Sequence, residues 1–324
     1  MLRNLLKLGM EWAERQKPIQ VHPEKCTHTR HKSSSCDACI EICPNQSIHL
    51  QPSLTIDWSC NGCGLCTSIC PTEALELRKK PNKEFYTEVK KKTEGNEKIF
   101  FHCHQAKEIA PLENQLILPC LAMIDEITIQ LSIANGINQF WFLTDVCEPC
   151  TLSKGKNLFQ NRLHQWKKRY PEMEWITTTR ATYRAFVKMG NNRDVNLQDS
   201  GQINRREFFK VFGNEAKQTI VKSLFKEKEN SPWKNGELTT QQSIRLQVHQ
   251  KWIKPNLELV YPLQEKPFQF DKDQCTLCGI CEKVCPTNAI KIQQEDQQLF
   301  FEQEQCISCN LCEDVCFRNA ITFL

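Results

Sequence analysis

Thiols carry the chemistry of this sequence: cysteine fills twenty of its 324 positions, in three groups. Eight lie between residues 26 and 70, four between 103 and 150, and eight between 275 and 316, with none from 151 to 274. In the last group Cys275, Cys278, Cys281 and Cys285 are spaced C-x2-C-x2-C-x3-C, and Cys306, Cys309, Cys312 and Cys316 repeat that spacing. In the first group Cys60, Cys63, Cys66 and Cys70 match it fully, while Cys36, Cys39 and Cys43 match its last three positions. The segments CDACIEICPNQSI, CGLCTSICPTEAL, CGICEKVCPTNAI and CNLCEDVCFRNAI are four copies of one unit, so the chain is internally duplicated. Three thiolates on one tight loop can wrap a corner of a [4Fe-4S] cubane, and a fourth cysteine three residues further on points at a neighbouring cluster. Each end of the chain therefore reads as holding two clusters in exchange. Zinc knuckles use two C-x2-C pairs held apart by a spacer, a poorer match to four cysteines in one run. Disulfide frameworks belong mostly to secreted chains under about 100 residues.

The elements around these loops must aim them. The residue after the second cysteine of each unit is Asp37, Gly64, Gly279 or Asn310, all types that tolerate a left-handed backbone and so can turn N–H groups toward cluster sulfur. Pro44, Pro71 and Pro286 follow three of the fourth-position cysteines, and their fixed φ predicts the start of a short helix there; Phe317 takes that place in the last unit. Alternating stretches, Ser53 to Asp57 and Gln298 to Glu302, predict small hairpins flanking the loops.

With these residues in view, both ends resemble bacterial-type two-cluster [4Fe-4S] ferredoxin domains over about 60 residues each. The resemblance implies that Cys60, Cys63 and Cys66 take Cys43 as fourth ligand, and that Cys26, Cys36 and Cys39 take Cys70. It implies likewise that Cys275, Cys278 and Cys281 take Cys316, and that Cys306, Cys309 and Cys312 take Cys285. Nine residues, Thr27 to Ser35, intervene between Cys26 and Cys36. A polar insertion of that length costs little closure entropy and still allows Cys26 to return. A three-cysteine [3Fe-4S] cluster, or His28 or His31 as an unusual ligand, are the alternatives there.

From residue 97 to about 180 the pattern changes to strands alternating with helices. Lys98 to His102, Gln115 to Leu118 and Gln139 to Leu143 read as buried strands, and Leu121 to Ala134 and Thr151 to Tyr170 as helices, which predicts a βαβ-type unit with a parallel sheet. Cys103, Cys120, Cys147 and Cys150 each fall just past a strand's C-terminal end, the edge where open α/β sheets bind ligands. Through FHCH, LPC, CEPC and Lys154-Gly155-Lys156-Asn157, this stretch resembles the delta subunit of methyl-viologen-reducing hydrogenases over about 70 residues. That resemblance implies a [2Fe-2S] cluster passing electrons between flavin and hydrogenase modules. Structural zinc, a thioredoxin-like dithiol at Cys147 and Cys150, and an oxygen- or redox-sensing role stay open, with His102 and His104 read as surface groups flanking Cys103.

Charge is uneven along the chain: 16 basic and 18 acidic groups in residues 1 to 150, 21 and 11 in 151 to 265, and 5 and 9 in 266 to 324. Five oxidised thiolate-ligated clusters at about −2 each would move the formal +4 to about −6 and set acidic ends against a basic middle. The basic stretch carries no groove-reading motif, so docking to an acidic partner, or to the chain's own ferredoxin-like ends, is preferred to nucleic acid. Asn204 to Lys210 looks like a twin-arginine export motif around Arg205 and Arg206, yet it is internal and lacks a following apolar region. It reads as a helix start with Phe208, Phe209 and Phe212 on its buried face. The expected class is α+β: an amphipathic N-terminal helix in 1–20, a dicluster domain in 21–80, an α/β four-cysteine domain in 97–180, a basic helical connector in 181–265, and a second dicluster domain in 266–324. No run of about 18 apolar residues is present to span a bilayer, no secretory cleavage pattern begins the sequence, and a cytoplasmic location is expected. No phosphate loop or nucleophile–base pair is visible, so the expected role is a multi-cluster electron-transfer protein wiring an oxidoreductase such as a hydrogenase or formate dehydrogenase. It would work with redox partner proteins and leave catalysis to them. The alternative is an accessory protein for maturation of a molybdenum or hydrogenase enzyme.

Overall fold

The computed structural model describes residues 16–106, 114–184, 233–234, 237–238, 243–257, 262–263, 266–293 and 298–323. Arg205, Arg206 and most of the N-terminal amphipathic stretch lie outside these. Ile19 and Gln20, counted with the N-terminal helix region from sequence, belong instead with Val21 to a strand: Ile19 and Val21 are β-branched, alternate with Gln20, and follow Pro18. This strand, β1 (Ile19–Val21), pairs antiparallel with β4 (Leu75–Leu77), and β2 (Ile48–His49) pairs with β3 (Thr55–Ile56). The first half is therefore one sheet that joins its two ends and one hairpin in its middle, with a short helix after each.

Those helices, Ala38–Ile42 and Leu65–Ile69, run up to the fourth cysteine of their units rather than starting at the proline beyond it. The proline instead opens a tight turn. Gly64 adopts the expected left-handed conformation at φ 75°, as do Gly279 at 77° and Asn310 at 54° in the second half, but Asp37 sits at φ −121°. In the three full units the residue before the second cysteine is also left-handed, at Gly62, Leu277 and Ser308. The first unit enters its loop from the 27–35 insertion instead, and needs neither turn.

The middle of the chain is a four-stranded parallel sheet in the order β6 (Gln115–Leu118), β5 (Lys98–Cys103), β7 (Gln139–Leu143), β8 (Glu174–Thr178). Three of these strands are the ones read from sequence, and β8 extends the sheet beside β7. The stretch Leu121 to Ala134 is not one helix. A 3-10 turn, Leu121–Met123, precedes the helix Glu126–Ala134, which Asp125 starts by accepting a hydrogen bond from Thr128 N at 3.0 Å. The helix Ser153–Arg169 lies where expected, and a helix at Asn82–Thr93 packs on the Glu126–Ala134 helix. Phe142 stacks between Phe101 and Trp175 over the sheet, and Trp166 of the long helix closes the layer. Leu65 of the first half and Val248 and Ile253 of the connector are buried in this same core, which ties three parts of the chain to one apolar interior.

Two short strands, β9 (Trp233–Lys234) and β10 (Glu237–Leu238), pair with each other. The second half then repeats the plan of the first: β11 (Phe268–Phe270) pairs with β14 (Ile321–Phe323), and β12 (Ile290–Gln293) with β13 (Gln298–Phe301). The helices Ile280–Val284 and Leu311–Asp314 pack together between them. No helix among the described residues is long and apolar enough to cross a membrane.

One titratable group closes the first half. His22, after β1, reaches Glu76 of β4 at 3.2 Å and Glu24 at 3.4 Å, and its hydrogen bonds to Glu24 and Glu76 raise its pKa from 6.5 to about 9. A raised folded-state pKa contributes stability that is complete below pH 6.5 and disappears as pH rises through about 9. Urea unfolding at pH 6 and pH 9 should show a loss of at most about 3 kcal/mol from this group, and His22→Gln should remove that part of the pH dependence. Equal slopes in the two proteins would assign the pH dependence elsewhere.

Candidate metal centres

The fold brings the N-terminal thiols into two groups of four. Burial pushes the Cys26 thiol up to about 11 and Cys39 up to about 12, and the charge of Cys70 adds to both and to Cys36. Cys60, Cys63 and Cys66 are likewise raised by burial, and here the charge acting on all three is that of Cys43. Cys43, Cys60, Cys63 and Cys66 line one cavity. Each fourth cysteine thus sits with the three thiols of the other unit. The imidazoles of the inserted loop are engaged with backbone: His28 Nε2 donates to Cys36 O at 2.7 Å, and His31 Nδ1 accepts from Ser33 N at 3.1 Å.

In the C-terminal half the charge of Cys285 acts on Cys306, Cys309 and Cys312, with burial raising Cys306 to about 11 and Cys309 to about 12. Cys281 is raised by burial to about 11, with Cys278 and Cys275 beside it. Cys316 follows the Leu311–Asp314 helix, which packs against the helix that ends at Cys285.

A feature that the cysteine spacing does not show recurs in all four units. The third residue after the fourth cysteine is left-handed at Gln46, Glu73, Asn288 and Asn319, with φ of 52°, 54°, 57° and 51°. That turn sends the next N–H back to the sulfur: Ser47 N to Cys43 Sγ at 3.4 Å, Ala74 N to Cys70 at 3.3 Å, Ala289 N to Cys285 at 3.2 Å, and Ala320 N to Cys316 at 3.3 Å. Donors aimed at sulfur stabilise its negative charge and so tune a metal ligand. The sequence signal is the small residue four positions after each of these cysteines, Ser47, Ala74, Ala289 and Ala320.

Cations from elsewhere in the chain cap the helices that lead into these cysteines. Lys154 Nζ donates to Cys43 O at 3.2 Å, Arg245 donates to Cys70 O and Thr67 O at 2.6 Å each, Arg162 donates to Ser68 O at 3.2 Å, and Arg30 Nε donates to Val284 O at 3.0 Å. A cation at a helix C-terminus satisfies orphan carbonyls and opposes the negative end of the dipole. In three of the four units it also places positive charge beside the fourth cysteine.

The middle four cysteines also converge. Cys103, Cys120, Cys147 and Cys150 line a cavity of about 40 Å³ at the C-terminal edge of the parallel sheet. Burial raises Cys120 to about 12 and Cys147 to about 11, with the charge of Cys103 acting on both. His102 is 2% exposed and faces Gln115 Oε1 at 3.4 Å, a buried group of the sheet rather than a surface group or part of this cavity. Cys63 is close enough for its charge to act on Cys120, so the middle thiols adjoin the group of Cys43, Cys60, Cys63 and Cys66.

Among the described residues no three His, Cys, Asp or Glu side chains stand closely enough to share a single metal ion. The donor set, sixteen thiols in repeated loops with N–H groups aimed at sulfur, suits iron–sulfur clusters.

Gly155 fits the same picture. A Cβ there would lie 2.9 Å from Cys120 Sγ and 3.3 Å from Leu65, so the first turn of the long helix approaches the middle thiols only because residue 155 has no side chain. On the reading that the middle thiols hold metal, Gly155→Ala should expel it while leaving the iron at the two ends in place, read as metal per chain and by the spectrum of the residual clusters. An unchanged middle signal would show that Cys120 has room to move.

Together these loops have the form of ferredoxin-type iron–sulfur binding loops. Residues 54–76, 268–291 and 299–322 match the family model of the 4Fe-4S binding domain, so the chain carries 4Fe-4S binding domains at both ends. The unit containing Cys26, Cys36, Cys39 and Cys43 lies outside the matched residues. Over 23 residues the chain is 61% identical to an uncharacterized ferredoxin of Methanocaldococcus jannaschii. That match covers 7% of this chain and spans 37% of the length of the relative.

Proposed function

We propose that this chain is a one-electron wire of five centres, a subunit that carries charge between redox partners and leaves catalysis to them. Four [4Fe-4S] clusters are held by Cys26, Cys36, Cys39 and Cys70; by Cys43, Cys60, Cys63 and Cys66; by Cys285, Cys306, Cys309 and Cys312; and by Cys275, Cys278, Cys281 and Cys316. The fifth, a [2Fe-2S] cluster, is held by Cys103, Cys120, Cys147 and Cys150, as in the hydrogenase delta subunit that this stretch resembles. When bound, such clusters supply one-electron redox chemistry, and the protein supplies ligation, spacing and potential. A cytoplasmic oxidoreductase complex is the setting this reading favours.

The observation that carries it is the order of the thiol groups. Cys120 of the middle site feels Cys63 of one N-terminal group, and Cys66 of that group feels Cys39 of the other. In the second half Cys312 of one group feels Cys281 of the other. Neighbouring groups thus succeed one another along each half. Cys278, exposed, lies in the last group and offers electrons a way on or off.

Iron, acid-labile sulfide and zinc per chain on anaerobically purified protein, with electron paramagnetic resonance after dithionite reduction, test this reading. About 18 iron with coupled [4Fe-4S] signals and a separate [2Fe-2S] signal are expected. About 16 iron with one zinc would make the middle site structural, and iron well below that would overturn the wire.

A further inference from the structure

The nine-residue insertion between Cys26 and Cys36 is polar and looks like slack in the sequence, yet the structure uses it as a clamp on the other half of the chain. Its first part is the helix Thr27–Arg30, and Arg30 at the end of that helix is 2% exposed. Arg30 Nε donates to the carbonyl of Val284 at 3.0 Å, the residue immediately before Cys285. At the other end of the insertion Ser35 donates to Asp314 from both N, at 2.9 Å, and Oγ, at 2.7 Å. Asp314 ends the Leu311–Asp314 helix that begins just after Asn310. The insertion therefore leaves one N-terminal thiol, touches both cysteine helices of the C-terminal half, and returns to another N-terminal thiol.

Arg30 is a cation taken out of water, which is costly unless negative charge faces it. The charges of Cys285 and Cys309 face it, and its own charge acts in turn on Cys309. Neutral thiols would not serve this purpose; thiolates ligating a cluster would.

We propose that residues 27–35 form the junction at which an electron crosses between the two halves, and that Arg30 sets the reduction potential of the centre held by Cys285, Cys306, Cys309 and Cys312. The proposal rests on the four-cluster reading. One electron leaves the centre of Cys26, Cys36, Cys39 and Cys70 and one arrives at the centre beside Arg30; no bond breaks and no proton is required. Guanidinium stays protonated throughout, so it contributes a fixed positive charge. That charge favours the reduced, more negative form and makes this centre the easier of the two to reduce.

The test is a redox titration of the full chain, followed by electron paramagnetic resonance, for the wild type, Arg30→Gln, Arg30→Lys and Ser35→Ala. Arg30→Gln should lower the reduction equilibrium constant of one [4Fe-4S] centre about tenfold, a midpoint about 59 mV lower, with the other three unmoved. Arg30→Lys should restore most of the shift, and Ser35→Ala, which removes an interdomain bond but no charge, should leave the midpoints in place. Four centres with unmoved midpoints in Arg30→Gln overturn the assignment to Arg30, as does an equal shift in Ser35→Ala, which would make the contact and not the charge responsible. Loss of about four iron from Arg30→Gln would mean that Arg30 serves assembly, and overturns it too. Fewer than four reducible [4Fe-4S] centres in the wild type would instead overturn the function on which the proposal stands.

Discussion

Arg245→Met should cost the folded chain about 3–5 kcal/mol and release the 243–257 segment from the rest of the molecule. The guanidinium is buried, and every direction it points in is occupied. Nε donates to Asp125 Oδ2 at 3.0 Å and to Tyr86 Oη at 3.1 Å, while the terminal nitrogens reach Cys70 O and Thr67 O at 2.6 Å. The backbone before it is fixed as well, with Ile244 N donating to Glu73 at 2.8 Å. Burial alone would lower the pKa of Arg245, but Tyr86, Asp125 and Glu73 outweigh it and raise it. Methionine fills similar volume, so the loss is not mainly a cavity. It strands Asp125, a charge 7% exposed that also starts the Glu126–Ala134 helix through Thr128, and it leaves two carbonyls at the end of the Leu65–Ile69 helix without their donor. Denaturant unfolding measures the loss, and the double variant Arg245→Met with Asp125→Asn should recover part of it, because the stranded charge is then gone. A single variant within about 0.5 kcal/mol of wild type would mean that water reaches the site and replaces the guanidinium.

Arg245 also shows what could be read from the sequence and what could not. The cysteine loops were legible because their chemistry demands adjacent residues: the spacing within each unit is set by a single turn of chain, and three units match the 4Fe-4S family model directly. The parallel sheet was legible from its apolar runs, and the convergence of Cys103, Cys120, Cys147 and Cys150 from where those runs end. What joins the pieces was not. Arg245, Arg162, Arg30 and Lys154 look like ordinary surface charges along a basic chain, and each acts across more than 90 positions, between Arg162 and Ser68, or up to 254, between Arg30 and Val284. Nothing local distinguishes a lysine or arginine that caps a distant helix from one that meets water. The short helices were misplaced for a related reason. Pro44, Pro71 and Pro286 fit the first turn of a helix equally well as the first corner of a tight turn, and the left-handed residues Gln46, Glu73 and Asn288 decide for the turn, because the N–H that follows is needed at the sulfur.

Cys70→Ser should remove the cluster held by Cys26, Cys36 and Cys39 and spare the cluster held by its near neighbours Cys60, Cys63 and Cys66. The reasoning is positional: the Leu65–Ile69 helix carries Cys70 away from its own loop, and its charge acts on Cys26, Cys36 and Cys39, while Cys43 does the same for the other three. A serine hydroxyl is a poor substitute for thiolate, so each single change should lower iron by about four per chain. The single variants do not identify the pairing, but pairs of variants do. Cys70→Ser combined with Cys26→Ser acts twice on one centre and should lose no more iron than either alone. Cys70→Ser combined with Cys60→Ser acts on two centres and should lose about eight. The reverse pattern would return Cys70 to the loop it follows in sequence. Cys26→Ser alone then decides the insertion: loss of iron relative to the wild type, of the whole cluster or of the one iron that Cys26 would hold, makes Cys26 the fourth thiolate, whereas an iron count equal to the wild type would show that the loop from Thr27 to Ser35 contributes its clamp on the C-terminal half and no ligand.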